Sequence, residues 1–345
     1  MDGIDDNREQ DVEVGTEIDS LMQETKVEKP VAPVTRSRVR LAWIVSLLCM
    51  VTATILLVVR DVVEFPTMLG KAHSVEFVQR LSTNETKRLA YFFYATDDGQ
   101  ACNALIAGKK LRQLGARASI DMVAMVSEDV SQATQNHLYK GGVIPMPVER
   151  WRRSTGNAFY KDALTKLRLF EERGYDRVVY IDSDTVIQRN LDVLFDLPHA
   201  IFWAPRAYWL DYLQPFITSV LLVVDPNNAL FAHLEHAIAV EKEPQYDMDV
   251  LNNEWKHQCG ILPSEFVVLS THLQSDTDKF LFGYKDLDDR INHTYIHHFS
   301  PSNPYNKPWN MNPNDMVRDP NVHHMYYDLF EIYWNQRHLH CPWLD

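Results

Sequence analysis

The chain has 345 residues, a formal net charge of −13, and 46% hydrophobic with 11% aromatic residues. That is enough apolar material for one large domain or two ordinary ones. The acidity argues against a nucleic-acid partner, which needs a basic footprint. Sparse glycine and no repeat period of roughly 20–50 residues exclude solenoids and propellers.

Residues 1–40 are first acidic, then basic and broken by prolines, with almost no aromatics. Such a stretch cannot bury enough apolar surface to fold and reads as a disordered tail. Leu41 to Val59 follows without a charge, close to the length of a helical membrane span. Arg36, Arg38 and Arg40 crowd its N-terminal flank, whereas Arg60 on the other side is offset at once by Asp61. The positive-inside rule then places the tail in the cytoplasm and the rest across the membrane, as a single-pass type II signal anchor. Residues 60–87 read as a stem and 88–345 as a lumenal domain. The glycosylation patterns Asn84-Glu-Thr and Asn292-His-Thr fit that orientation. Cys49 lies in the span; Cys102, Cys259 and Cys341 permit one disulfide and leave one thiol, with the pairing open.

From Arg88 onward, strand-like and helix-like segments alternate. "LAYFFYAT" is a strand, "ACNALIAGKKLRQLG" a helix stopped by Gly115, and "ASIDMVAMV" a second strand. "DVSQATQNHLYKGG" is a helix opened by an Asp or Ser cap and closed by glycines, and "GGVIPMPV" a short strand. "YKDALTKLRLFEERG" reads as an amphipathic helix with Leu164, Leu167 and Phe170 on one face, and "RVVYID" as a strand. "AIFWAP" and "SVLLVV" are two more strands. Apolar strands alternating with helices predict an α/β domain built on a mostly parallel sheet covered on both faces.

In such sheets, ligands bind beyond the carboxyl ends of the strands. "VVYIDSDTVI" puts Asp182 and Asp184 at that end of an apolar strand. Three other Asp-x-Asp pairs occur, at Asp247, Asp276 and Asp286, so the pattern alone means little. The bland reading is a solvated turn. The functional one is a clamp for Mg2+ or Mn2+, since carboxylates are hard oxygen ligands. Such an ion would neutralise a diphosphate. A haloacid-dehalogenase-like phosphatase with Asp182 as nucleophile also fits the motif, but there the motif opens the domain. Here about 90 residues of alternating elements precede it, the order expected of a nucleotide-sugar transferase. Further on, "TYIHHF" ends in His297 and His298 and leads through a proline-rich loop to Lys307. Imidazole supplies a third metal ligand and lysine a point charge for phosphate. Alone, the His pair would read as a surface pair.

Together these residues resemble the family 8, glycogenin-like, retaining glycosyltransferases of the GT-A fold, over most of 88–310. "YDMDVLN", "LFDLP" and the "HF…KPW" loop are most similar to fungal Golgi N-acetylglucosaminyltransferases. The resemblance implies Asp182, Asp184 and His298 as Mn2+ (or Mg2+) ligands, with Ser183 between them in the donor site. It implies Lys307 and Lys166 on the donor diphosphate or sugar. It places Tyr94, Thr96 and Asp97 in a uridine pocket, Thr218 and Ser219 beside the sugar, and Asp247 at the reacting centre. The chain departs from the family in three places. A glycine between the metal histidine and the lysine is missing from a loop about three residues longer, Val220 replaces a glycine, and Met248 replaces a glutamine. The implied activity is transfer of N-acetylglucosamine or glucose from a UDP-sugar to a glycan or glycoprotein acceptor at the Golgi membrane. A non-catalytic carbohydrate-binding membrane protein is the other alternative; Lys166, Lys307 and His298 argue against it, because a binder needs no diphosphate contacts.

The C-terminal segment is rich in histidine. His338, His340 and Cys341 hint at zinc but lack a second ligand pair. Tyr326, Tyr327, Phe330, Tyr333 and Trp334 read as the packing face of a terminal helix, with an acceptor platform as the alternative.

Overall fold

The computed structural model describes residues 87–152, 162–211, 213–240, 245–274, 281–300 and 306–344. The chain divides between Asn84 and Glu85. The expected tail, membrane span and stem up to residue 86 lie outside the described residues. Among the described residues, no helix is long and apolar enough to cross a membrane.

The first strand, β1 (Leu89–Ala95), pairs in parallel with β2 (Asp121–Val126) on one side and β4 (Arg177–Ile181) on the other. Between β1 and β2 runs α1 (Asp98–Gln113), capped by Asp97, whose carboxylate accepts from the Gln100 N–H at 2.7 Å. Gly115 follows with φ +84, the left-handed turn that glycine adopts without a Cβ penalty. Helix α2 (Gln132–Lys140) is capped by Ser131 and closed by Gly141 and Gly142, and it leads to the edge strand β3 (Ile144–Pro147). The two prolines of β3 blunt that edge.

Beyond β4 the direction changes. Strand β7 (Leu221–Val224) is antiparallel to both β4 and β6 (Trp203–Pro205), and β8 (Gly260–Leu262) extends the sheet parallel to β6. The seven-stranded order is β3-β2-β1-β4-β7-β6-β8. A second sheet is formed by β5 (Thr185–Ile187), β10 (Ile296–His298) and β9 (Val267–Leu269), with β10 in the centre. The expected mostly parallel sheet is thus present, with one reversed strand inside it.

Both faces of the main sheet are covered, which is why its strands read as unbroken apolar runs. Tyr91, Phe93 and Ala95 of β1 face one core with α1, and Ala90 and Phe92 face the other. The second core takes in α3 (Asn228–Val240) and α4 (Asp247–Trp255). Each fully buried Phe or Leu there contributes on the order of 1.5–3 kcal/mol.

Residues 163–170 correct the expected amphipathic helix: Ala163–Phe170 is a 3-10 helix buried almost throughout. Leu164, Leu167 and Phe170 recur every third residue, which suits three residues per turn as well as an α-helical face.

After α5 (Leu287–His293), the chain closes with α6 (His324–His340). Its Tyr326, Tyr327, Phe330 and Tyr333 are buried in a third core cluster, so these aromatics pack rather than form an acceptor platform. Cys102 of α1 and Cys341 beyond α6 form a disulfide, and Cys259 is free. That bond removes Cys341 from any zinc site.

At the far ends of the central strands, Arg177 pairs with Asp225 through two contacts of 2.6 and 2.9 Å and also donates to the Leu197 carbonyl. The antiparallel turn of β7 brings Asp225 back beside the start of β4, which explains the pairing.

Candidate active site

A cavity of about 600 Å³ opens above the carboxyl ends of β1 and β4. Of the site residues read from the sequence, Tyr94, Thr96, Lys166, Asp182, Ser183, Asp184, Thr218, Ser219, Asp247, His298 and Lys307 all line it. Asp97 does not; its side chain caps α1 one residue further along.

Strand β4 is buried from end to end, so the turn after it is rigidly mounted. The Asp182 N–H donates to the Val220 carbonyl at 2.8 Å, and Thr185 Oγ1 donates to the Asp182 carbonyl at 2.9 Å. Strand β10 lies antiparallel to β5, with His298 opposite Thr185. This register brings His298 Nε2 to 3.1 Å from Asp184 Oδ1 and 4.0 Å from Asp182 Oδ2. One ligand atom from each of Asp182, Asp184 and His298 lies within 4.8 Å of the others. His297, one position earlier, points the other way, as strand alternation requires. It is fully buried, and burial, with Arg290 and His323 adding to it, pushes its imidazole down to about 4. The pair is therefore one site residue and one core residue, not a surface pair.

Two buried lysines bracket the aspartates. Lys166 Nζ lies 2.8 Å from both Asp182 Oδ1 and Asp247 Oδ2, and 3.3 Å from Ser219 Oγ. Ser219 in turn donates to Asp247 Oδ2 at 2.5 Å. The rings of Tyr94 and Tyr180 flank Lys166 at 5.9 and 5.4 Å, and Tyr180 also donates to Asp182 Oδ1. Burial works against the Lys166 charge, but Asp182 and Asp247 outweigh it and hold the ammonium well above its usual value. Lys307 donates to Asp184 Oδ2 and to the Phe299 carbonyl.

The two aspartates are pushed apart. Burial lifts the Asp182 carboxyl, and Asp184 adds to the lift against the opposing charge of Lys166. Burial would lift Asp184 too, but His298 and Lys307 overcome it and hold that carboxyl well below the usual range. Asp182 Oδ1 is already held by Lys166 and Tyr180, which disfavours a phosphatase nucleophile at this position.

Asp247 sits in the first turn of α4, where the helix dipole favours an anion. Asn252 of the same helix bonds the Ile217 N–H and carbonyl at 2.8 and 2.9 Å. That clamp sets the Thr218–Ser219 segment, which precedes β7 rather than lying within it, against Asp247.

The reading from sequence missed Gln100, Asp162, Trp209 and Tyr246, all of which line the cavity. Gln100 was findable. It stands three residues after the Asp97 cap, a capping-box spacing, and its Oε1 accepts from the Thr96 N–H at 3.0 Å. Asp162 is held by Arg152 at 2.7 Å and Arg150 at 3.6 Å. Lone Trp209 and Tyr246 carry no local pattern.

No family profile matches the chain. It is 30% identical over 249 residues to "Glucose N-acetyltransferase 1" of Aspergillus fumigatus, covering 64% of this chain and 65% of that protein. It is 29% identical over 225 residues to glycogenin of Neurospora crassa, covering 62% of this chain and 30% of that protein. In both cases the chain spans less than two thirds of the relative's length. In structure it is similar to the WbbM bifunctional glycosyltransferase in its apo form, with a TM-score of 0.51 and 18% identity, over 72% of this chain and 50% of that one. That likeness shows a GT-A-like α/β fold. With those relatives, and with the acids, histidine and lysines of the expected motifs lining one cavity, the chain is similar to the glycogenin-like, family 8-type glycosyltransferases.

Proposed function

We propose that this chain is a metal-dependent retaining glycosyltransferase. Its donor is a UDP-sugar, UDP-N-acetylglucosamine first and UDP-glucose next, and its acceptor a glycan or glycoprotein. Its place is the Golgi membrane, anchored through residues 41–59 with the catalytic domain lumenal. The observation that carries the reading is the convergence of Asp182, Asp184 and His298 within 4.8 Å, beside Lys166 and Lys307 in one cavity. Two carboxylates and one imidazole fit Mn2+ or Mg2+. When bound there, such an ion would supply Lewis-acid neutralisation of a diphosphate leaving group.

The chain's own residues account for the rest. Lys166 and Lys307 are fixed cations where charge develops as the anomeric bond breaks, and preorganised charge of this kind lowers the barrier. Tyr94 and Thr96, at the tip of β1, line the uridine end. Thr218 and Ser219 border the sugar. Asp247, held by Ser219 and Lys166, is placed to orient an acceptor hydroxyl or stabilise an oxocarbenium-like centre. Retention follows from same-face attack and needs no covalent intermediate on Asp247. Glucose is named in the Aspergillus relative, which supports a hexose donor or acceptor.

The test is incubation of the full chain in detergent with a panel of UDP-sugars and Mn2+, reading UDP release. Release that requires one UDP-sugar and is abolished by EDTA is expected. If no UDP-sugar is bound or turned over, the reading fails.

A further inference from the structure

The cavity's lining changes character across the sheet. Its β1 side is polar, with Thr96, Gln100 and Asp162, and its centre at β4 and β7 carries the acids and lysines. Beyond lies β6, three strand positions from β1 in the order β1-β4-β7-β6. At about 4.8 Å per strand, that is roughly 14 Å, the reach of a nucleotide diphosphate with its sugar's far edge just beyond. The loop after β6 carries Trp209, which also lines the cavity.

Trp209 is half-buried, and its ring packs on Tyr208 at 5.1 Å and on His272 at 5.8 Å. Those contacts hold the indole while part of it stays exposed to the cavity. Met248 lines the cavity next to Asp247. This end thus adds a held aromatic ring and the Met248 side chain beside the carboxylates of Asp247 and Asp249. A neutral pyranose ring has an apolar C–H face that stacks on such a surface, whereas a phosphate does not.

We infer that Trp209 is the acceptor platform, a specificity-determining residue that stacks a neutral pyranose so that its hydroxyl meets the donor sugar near Asp247. This rests on the transferase reading above and names the acceptor class for the same cavity. A merely structural role, as a filler between Tyr208 and His272, is the competing account.

The test uses the full chain with Mn2+ and the UDP-sugar it turns over. Hydrolysis without acceptor is measured beside transfer to the methyl pyranosides of glucose, galactose, mannose and N-acetylglucosamine. Trp209→Ala is expected to raise the acceptor KM at least tenfold and to lower the ratio of transfer to hydrolysis by a similar factor. Trp209→Phe, which keeps an aromatic face, should restore most of the loss. An unchanged acceptor KM in Trp209→Ala overturns the inference. So does an equal fall in hydrolysis and transfer that Trp209→Phe does not rescue, which assigns the residue to the fold. A wild-type chain that hydrolyses the donor but transfers to no methyl pyranoside overturns the acceptor class alone. One that does neither overturns the transferase reading with it.

Discussion

Removing the Lys166 ammonium as Lys166→Met tests the electrostatic core of the site. Lys166 is 5% exposed and touches two carboxylates at 2.8 Å. At an effective dielectric constant of about 20, each contact is worth roughly 6 kcal/mol before desolvation. Taking three ions out of water offsets most of that sum. What remains on removing one partner is the cost of leaving charges buried and unpaired, about 3–5 kcal/mol. The cavity lets water reach Asp182 and Asp247, which lowers the figure to about 2–4 kcal/mol. For a domain of this size, roughly 2–4 °C of Tm per kcal/mol gives a fall of about 4–16 °C. Adding Asp247→Asn should restore part of the Tm, because it removes one of the stranded charges, and the double-mutant cycle measures the coupling directly. Turnover should fall about 10²–10³-fold in either variant, the scale of losing one preorganised stabilising group. The assay is a thermal scan followed by UDP release from the donor. A Tm within 2 °C of wild type together with turnover within threefold would refute the reasoning.

Two further outcomes concern stability. The Cys102–Cys341 bond closes a loop across a sequence separation of 239, for which the chain-entropy relation gives a ceiling of about 5.5 kcal/mol. Cys102→Ala/Cys341→Ala should therefore lower Tm and free the α6 end to proteolysis first; a Tm equal to wild type contradicts this. At Asp225, burial raises the carboxyl, but Arg177 outweighs it and the folded value is depressed. Its stabilisation is thus fully present above the unfolded value near 3.9 and is lost as pH falls through the folded value. The Tm gap between wild type and Asp225→Asn should be widest at pH 6 and shrink below about pH 4. A gap that grows on acidification reverses the sign.

Much of the site was legible because a rigid apolar strand ending in acids is a chain-local signal. β4 gave Asp182 and Asp184, and the run into His298 and Lys307 gave the partners. The reversal of β7 was not legible. The sequence between β4 and β7 holds no single crossover helix or hairpin turn that sets strand direction. Residues 163–170 were misread because a three-residue recurrence fits two helix types. Asp97 looked like a pocket residue, since capping and ligand binding favour the same acid at a strand-to-helix corner. The disulfide required knowing which two of three cysteines meet in space. Trp209 was invisible because only the sheet order reveals which loop faces which end of the cavity.

The central claim is that Asp182, Asp184 and His298 hold a divalent cation beneath the donor diphosphate. Titration of UDP into the full chain, with Mn2+ and again with EDTA, measures it most directly. The account predicts one UDP per chain, bound at least tenfold more tightly with Mn2+, and loss of that gain in folded Asp184→Asn and His298→Ala variants. Equal UDP affinity with and without Mn2+, or a full Mn2+ gain in those variants, would contradict it.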